Sequence, residues 1–448
     1  MAGILFGTDG IRGQFGQYPV VPGFFSRLAR ATEEFFAQYL GKDRLKVAIG
    51  RDTRESGEIL VQALIAGFSD RVTALQCGVL PTPAVAYITR KLGCDCGFSV
   101  TASHNPYHDN GVKIFNGEGE KLPIDLELGI ENLVQILAMD VGAAAAEVIN
   151  HVSAAEEEFC ASFDNVGFTF GGRVVLDVAN GAGTATSPPI LRKICRDLVV
   201  IGDKPDGKNI NVECGSESIA TLCQSVKDHR AAVGIAHDGD ADRLVMVDET
   251  GVPVNGDQVL GVIAKYLFNE NRLSNNLLVV TEQSNSGLDS SLSKLGIGVV
   301  RCGVGDRNVY YSMLKHGASL GGEESGHLIL REFSNTGDAI SAAVLMLKIM
   351  AETGAPLSLL KDDISLLPKK LHNIKVSQKI PLSEIDGFDK LLNFLKTSEP
   401  NYGRVFVRYS GTENKLRVLV EARTEATVDK ILTCVCEFLE RRLTYTSP

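Results

Sequence analysis

Leu45-Lys46-Val47-Ala48-Ile49, then Gly50-Arg51-Asp52-Thr53-Arg54, then Ile59 to Phe68 read as a strand, a polar turn and a helix. The same order returns twice. Val174 to Val178 leads through Asn180-Gly181-Ala182-Gly183 into a helical pattern reaching Cys195, and Leu277 to Val280 leads through Thr281 to Gly287 into a helical stretch ending near Gly296. Each helix is followed by a β-rich run and a glycine-containing loop, at Val72 to Gly78, Leu198 to Gly202 and Val299 to Gly303. Apolar strands alternating with amphipathic helices predict an α/β protein with three related α/β domains, their mixed sheets covered by helices. The shared signal is order rather than identity, so ordinary α/β units without common ancestry would read the same way.

The last quarter differs. Short strands at Val405 to Val407 and Leu416 to Val420 flank a polar loop, and from Glu425 a helix places Val428, Ile431, Leu432, Val435, Phe438 and Leu439 on one face. A smaller C-terminal α+β domain is expected. Boundaries fall near 150, 253 and 367, dividing the chain into 1–150, 151–253, 254–367 and 368–448.

The composition of the 448 residues, 44% hydrophobic and 22% charged, is that of globular proteins. No uncharged apolar run approaches the roughly 18 residues needed to span a bilayer, and the start has neither a basic region nor a sustained apolar segment. A cytoplasmic protein without membrane partners is expected. Ten cysteines lack paired Cys-x-x-Cys spacing and read as reduced thiols. The net charge of −10, with no basic run interleaved with aromatics, argues against nucleic acid as partner and requires a locally positive site for any anionic substrate.

Five loops could carry chemistry. Gly7-Thr8-Asp9-Gly10-Ile11-Arg12-Gly13 lets backbone amides approach an anion beside the Arg12 charge, although alone it reads as a plain turn. In Thr101-Ala102-Ser103-His104-Asn105-Pro106 the turn signals place the Ser103 hydroxyl on an exposed bend, where a serine bonding its own turn is the bland alternative. Lys113 follows in an alternating strand. His237-Asp238-Gly239-Asp240-Ala241-Asp242-Arg243 holds three carboxylates at alternate positions, which repel unless a cation or protons compensate. A calcium-binding helix-loop-helix would also place Glu249 twelfth, but its sixth position needs glycine and holds Arg243, and Leu244 to Val247 reads as a strand. Gly321-Gly322-Glu323-Glu324-Ser325-Gly326-His327 offers groups suited to sugar hydroxyls, or to an ordinary surface loop. In Arg408-Tyr409-Ser410-Gly411-Thr412-Glu413-Asn414 a forked guanidinium, hydroxyls and amides could cradle a phosphate between two strands.

These loops in this order resemble the α-D-phosphohexomutase superfamily, over Leu5 to about Glu421. Within it the chain looks most like the bacterial phosphoglucosamine mutase branch, on Gly7 to Gly13, Asn209-Ile210-Asn211 with Cys214-Gly215-Ser216, Val304-Gly305-Asp306-Arg307, and Gly321 to His327. The resemblance implies a four-domain isomerase, its domains set around a central cleft, that interconverts glucosamine 6-phosphate and glucosamine 1-phosphate through a phosphoserine at Ser103 and a glucosamine 1,6-bisphosphate intermediate. It implies one Mg²⁺ per subunit, held by Asp238, Asp240, Asp242 and an oxygen on Ser103. By the same resemblance Arg12, His104 and Lys113 serve the transferring group, and Lys113 and His327 are candidates for moving the hydroxyl proton. Glu323, Ser325 and Arg243 would contact the sugar, and Arg408, Ser410, Gly411, Thr412 and Arg417 the resting phosphate. The partner is a small-molecule hexosamine phosphate, and the chain a monomer or homodimer.

Three departures bear on this. Ala241 replaces a frequent glycine, Asn414 replaces a frequent proline, and Glu324 stands where the branch often has glutamine. A carboxylate there could favour an ammonium-bearing sugar or face solvent. A phosphomannomutase or phosphoglucomutase, and a non-catalytic sugar-phosphate binder on the same fold, are the competing readings.

Overall fold

The computed structural model describes residues 5–7, 9–137, 145–410 and 414–443. Its first sheet runs, in spatial order, Ile11–Gln14, Asp109–Asn116, Cys96–Val100, Leu45–Arg51, Val72–Val79 and Glu147–Asn150. The second runs Pro253–Val254, Leu244–Asp248, Val233–His237, Phe170–Asp177 and Cys195–Ile201, and the third Gly298–Cys302, Leu277–Thr281, Leu320–Gly322 and Leu328–Leu330.

One arrangement recurs in all three. The first strand of each unit, Leu45–Arg51, Phe170–Asp177 or Leu277–Thr281, lies between the second and third, both parallel to it. A fourth strand then turns back antiparallel to the third. Helices make the parallel crossovers: Gly57–Gly67 and Thr82–Lys91, Ser187–Ile194 and Ala220–Asp228, Ser286–Ser293 and Asp306–His316. The repeat of order read in the sequence is therefore a repeat of topology. The link between third and fourth strands carries a singled-out loop every time: the serine loop after Val100, the carboxylate loop after His237, and Glu323 to His327 after Gly322. In an open parallel sheet the carboxyl ends of the strands bound the crevice where ligands sit, so each of these links stands at the ligand-binding edge of its own sheet.

The fourth sheet is antiparallel, with Lys415–Ala422 between Lys369–Lys375 and Tyr402–Tyr409. Helix Glu425–Leu443 covers it, with Val428, Ile431, Val435 and Leu439 fully buried and Leu432 and Phe438 packed at the margin, the face its spacing predicted. Predicted strands and helices fall within a few residues of those observed. The helix expected to reach Cys195 ends at Ile194, where the chain passes directly into the next strand.

Buried ionic contacts join the sheets. Glu421 of the fourth, fully buried, accepts from the Ser286 amide at 3.1 Å and from Arg404 at 2.9 Å, while Arg404 also donates to the Ser284 carbonyl. Among the described residues no helix is long and apolar enough to cross a membrane.

Candidate active site

Ser103 stands at φ 53°, a left-handed conformation uncommon for serine. Its amide donates to Thr101 Oγ1 at 2.8 Å, and its carbonyl accepts from Arg54 and from Asn211, both at 2.9 Å. The hydroxyl donates to Asp238 Oδ2 at 2.5 Å and lies 3.3 Å from His104 Nδ1. Pro106 of this bend is exposed as expected, but Ser103 itself is buried, with no accessible surface. The carboxylate loop covers it so closely that a Cβ on Gly239 would lie 2.6 Å from the Ser103 carbonyl oxygen.

Arg54 organises this loop from behind. Its guanidinium is fully buried, pairs with Asp52 at 2.8 Å, and donates to the carbonyls of Ser103, Asn105, Pro106 and Asp109. Asp52 in turn accepts from the Thr101 hydroxyl at 2.7 Å. Sequence reasoning took Gly50 to Arg54 as an ordinary polar turn.

Asp238, Asp240 and Asp242 converge, all three buried, with one oxygen from each within 4.8 Å of the others. One oxygen of Asp240 and one of Asp242 have no hydrogen-bond partner. Buried carboxylate oxygens without donors fit a hard divalent cation, so the residues present suit Mg²⁺. The remaining Asp240 oxygen accepts from the Thr82 hydroxyl at 2.6 Å. Burial, reinforced by Asp240 and Asp242, raises the Asp238 carboxyl well above its ordinary range. Asp242 is held well below it, because Lys113 and His327 together outweigh its burial.

Lys113 supplies positive charge to this cluster. Its Nζ lies 2.8 Å from Asp240, 2.6 Å from Asp242 and 3.2 Å from Asp9. Burial would strip its proton, but the three carboxylates prevail and its pKa rises. A lysine acting as base needs the opposite shift. Burial, with Arg243 and Arg12 nearby, lowers His104 to about 4, leaving that imidazole neutral beside the serine at neutral pH. Arg12 reaches the serine loop through the Ala102 carbonyl at 3.5 Å and pairs with Asp9.

His327 is buried, with Nδ1 3.6 Å from Asp242 and Nε2 3.4 Å from Asp306; the Gly337 amide donates to Nε2 at 3.1 Å. Asp306 pairs with Lys121, Lys121 with Asp9, and Asp9 with Lys113. Asp9, Lys113, Asp242, His327, Asp306 and Lys121 thus close a ring of alternating acidic and basic groups drawn from three sheets. Despite burial, Lys113, Lys121 and Arg12 keep the Asp9 carboxyl well below its ordinary range. Asp9 and Asp306 stood in quoted motifs without an assigned role; Lys121 lay outside them.

Arg243 continues from the aspartates. Burial opposes its charge, but Asp238 and Asp242 raise its pKa, and it reaches Glu217 at 3.4 Å. Arg243 and His327 form an antiparallel bridge, and the Leu244 amide donates to the Gly326 carbonyl at 2.9 Å, stitching the carboxylate loop to the loop of Glu323. Glu323 accepts from the Gly305 amide at 3.0 Å, and Ser325 is exposed. Glu324 is partly exposed and both its carboxylate oxygens are engaged: it pairs with Lys369 of the fourth sheet and accepts from Asn255 at 3.0 Å.

In the fourth sheet Arg408 and Arg417 stand directly opposite each other across the strand pair, each with a buried, unpartnered Nε. Like charges so placed repel unless an anion bridges them. Burial, with Arg417 adding, lowers the Arg408 pKa, and Glu323 is close enough to oppose that shift. Ser410 is buried, its amide donating to the Lys415 carbonyl at 2.8 Å. Gly411 and Thr412 lie outside the described residues. The structure therefore brings Ser103, His104, Lys113, Arg12, the three aspartates, Arg243 and His327 to one locus, with Glu323 linking it toward Arg408.

Four family profiles match the chain in order: phosphoglucomutase/phosphomannomutase alpha/beta/alpha domain I over residues 3–139, domain II over 151–251, domain III over 255–366, and the C-terminal domain over 371–437. The chain is 38% identical to the phosphoglucosamine mutase of Bdellovibrio bacteriovorus over 98% of each. It is also 38% identical to that of Aliarcobacter butzleri, covering 98% of this chain and all of the relative. A solved phosphoglucomutase/phosphomannomutase family protein from Burkholderia thailandensis superposes with a TM-score of 0.80 at 21% identity, over 98% of both chains.

Proposed function

The chain belongs to the phosphoglucomutase/phosphomannomutase family, and we propose that its reaction is the interconversion of glucosamine 6-phosphate and glucosamine 1-phosphate. It is a mutase of the isomerase class. The observation that carries the mechanism is the Ser103 hydroxyl, held on Asp238 beside two carboxylate oxygens without hydrogen-bond partners. Asp238, Asp240 and Asp242, with an oxygen on Ser103, would hold Mg²⁺, which when bound neutralises charge gathered on the transferring oxygens.

Ser103 stores a phosphoryl group. As the bond from phosphorus to the serine oxygen breaks, one forms to the free hydroxyl of the sugar phosphate, giving glucosamine 1,6-bisphosphate. The bisphosphate turns over in the cleft, and its other phosphoryl returns to Ser103. Lys113 keeps its proton and acts as a fixed cation on the carboxylate cluster, and Arg12 adds a second at the Ala102 carbonyl. We assign the hydroxyl proton to His327 Nε2, which would exchange the bond it accepts from the Gly337 amide for one donated to Asp306. His104 orients the serine oxygen as a neutral hydrogen-bond partner. Arg243, Glu323 and Ser325 contact the sugar, and Arg408 with Arg417 and Ser410 holds the resting phosphate.

The sugar assignment rests on the names of relatives sharing 38% of their residues over the whole chain. Turnover should be compared on the 6-phosphates of glucosamine, glucose and mannose, with intact-mass measurement of wild type and Ser103→Ala. Expected are preference for the glucosamine substrate, a phosphate on the wild type alone, and near-complete loss of turnover in the variant. Equal or better use of the glucose or mannose substrate would reassign the specificity. An active Ser103→Ala would end the phosphoserine mechanism.

A further inference from the structure

A cavity of about 410 Å³ lies outside the catalytic residues, between helix Thr82–Lys91, the segment after helix Val152–Ala161, and the start of helix Ala339–Thr353. Tyr87, Phe159, Phe163 and Phe168 give it aromatic walls, with Tyr87 and Phe163 both edge-on to Phe159 at 5.8 and 5.6 Å. Most of its charge is already spent. Arg272 pairs with Glu332 at 2.6 Å, Lys348 reaches Glu352 at 3.7 Å, and Asp338 accepts from the Ile340 and Ser341 amides. Arg90, exposed, has no ion-pair partner among the described residues, and Glu118 is the exposed carboxylate on the rim.

The walls are one residue away from groups that hold the catalytic loops. Beside Pro83, Thr82 donates its hydroxyl to Asp240 at 2.6 Å and its amide to the Asp240 carbonyl at 3.0 Å. On either side of Asp338, the Gly337 amide donates to His327 Nε2 at 3.1 Å and the Ala339 amide to the Ala241 carbonyl at 3.2 Å. Whatever sits between these helices presses on the backs of the carboxylate and His327 loops.

We propose that this cavity is a regulatory site for an amphipathic aromatic anion, its ring against Tyr87 and Phe168, which Phe159 and Phe163 back from the core, and its anionic group on Arg90, through which occupancy lowers turnover. Aromatic walls with a few placed polar groups are the usual make-up of small-molecule sites, and a guanidinium without a counter-ion selects the anion. Occupancy acts only through its differential effect on the states of the loops it backs.

The test uses 1-anilinonaphthalene-8-sulfonate as probe on the full-length enzyme, with Arg90→Glu and Glu118→Gln as surface variants that leave the core intact. Saturable binding to wild type is expected, weakened about tenfold or more by Arg90→Glu and not weakened by Glu118→Gln. The probe should lower kcat at least twofold without changing KM, and this effect should fade in Arg90→Glu. Binding indifferent to Arg90→Glu, inhibition competitive with the sugar phosphate, or binding without effect on kcat would each overturn the proposal. Because binding is read by fluorescence, its failure is distinct from a failure of the mutase assignment.

Discussion

Replacing Arg54 with lysine keeps the charge and removes the fork. Five hydrogen bonds leave the Arg54 guanidinium, one to Asp52 and four to the carbonyls of Ser103, Asn105, Pro106 and Asp109. A lysine ammonium has three donors at a single atom, so at least two of these five acceptors lose this partner. At roughly 1.5 kcal/mol for each charge-assisted bond, Arg54→Lys should cost about 3 kcal/mol of stability. The larger effect is positional. Ser103 hangs from one of those carbonyls, and a shift of about 1 Å in a reacting atom costs on the order of 100-fold in rate. Turnover at saturating substrate, measured well below the melting temperature, should fall about 100-fold. KM should stay within twofold, because Arg54 is buried behind the loop and touches no substrate. An Arg54→Lys enzyme turning over within twofold of wild type would refute this account of how the serine is held.

Three further outcomes are expected. Asp240→Asn should lower kcat by roughly 10²–10³-fold and abolish Mg²⁺-dependent thermal stabilisation while leaving the metal-free protein folded, since the relief of carboxylate repulsion offsets the lost pairing with Lys113; calorimetry with and without Mg²⁺ reads both. Ala241, at φ 56°, bears a left-handed strain of about 1–2 kcal/mol that glycine would relieve, offset by about 0.5–1 kcal/mol of chain entropy. Ala241→Gly should therefore stabilise by about 0.5–1 kcal/mol in chemical denaturation, and a lower denaturation midpoint would contradict it. Burial, partly offset by the Asn285 amide and reinforced by Glu324, pushes the Asp257 carboxyl up to about 6 from 3.8. Its ionisation in the folded protein thus costs about 3 kcal/mol, a penalty absent below about pH 4, growing through the interval to pH 6 and complete above it. Asp257→Asn should stabilise the enzyme at pH 8 and lose that advantage by pH 4; a pH-independent difference would count against it.

The parts of the molecule that depend on local pattern were legible. Alternation and helical spacing located the strands and helices, and the three alternate aspartates marked a candidate cation site because their mutual repulsion is a property of the loop itself. What escaped depends on contacts between distant segments. Arg54 is a turn residue until its partners 49 to 55 positions downstream are known. Ser103 reads as exposed because Asp238, 135 residues away, is what covers it. Glu324 is similar: its partner Lys369 belongs to another sheet, so no local reading could separate a sugar contact from a tether. For Lys113 alternation indicated the strand, but the rise in its pKa comes from Asp240, Asp242 and Asp9, none of them a neighbour in sequence.

The recurrence of one strand order in three sheets has a consequence for how this enzyme can fail. Each unit contributes one of the loops to which the proposed reaction is assigned: the Ser103 loop, the carboxylate loop or the His327 loop. None is useful until the ring from Asp9 through Lys113, Asp242, His327, Asp306 and Lys121 closes across the seams. Activity is thus a property of assembly within one chain. A substitution at a seam can silence the catalyst while every hydrophobic core stays whole, and heat should extinguish turnover before it melts any of the sheets.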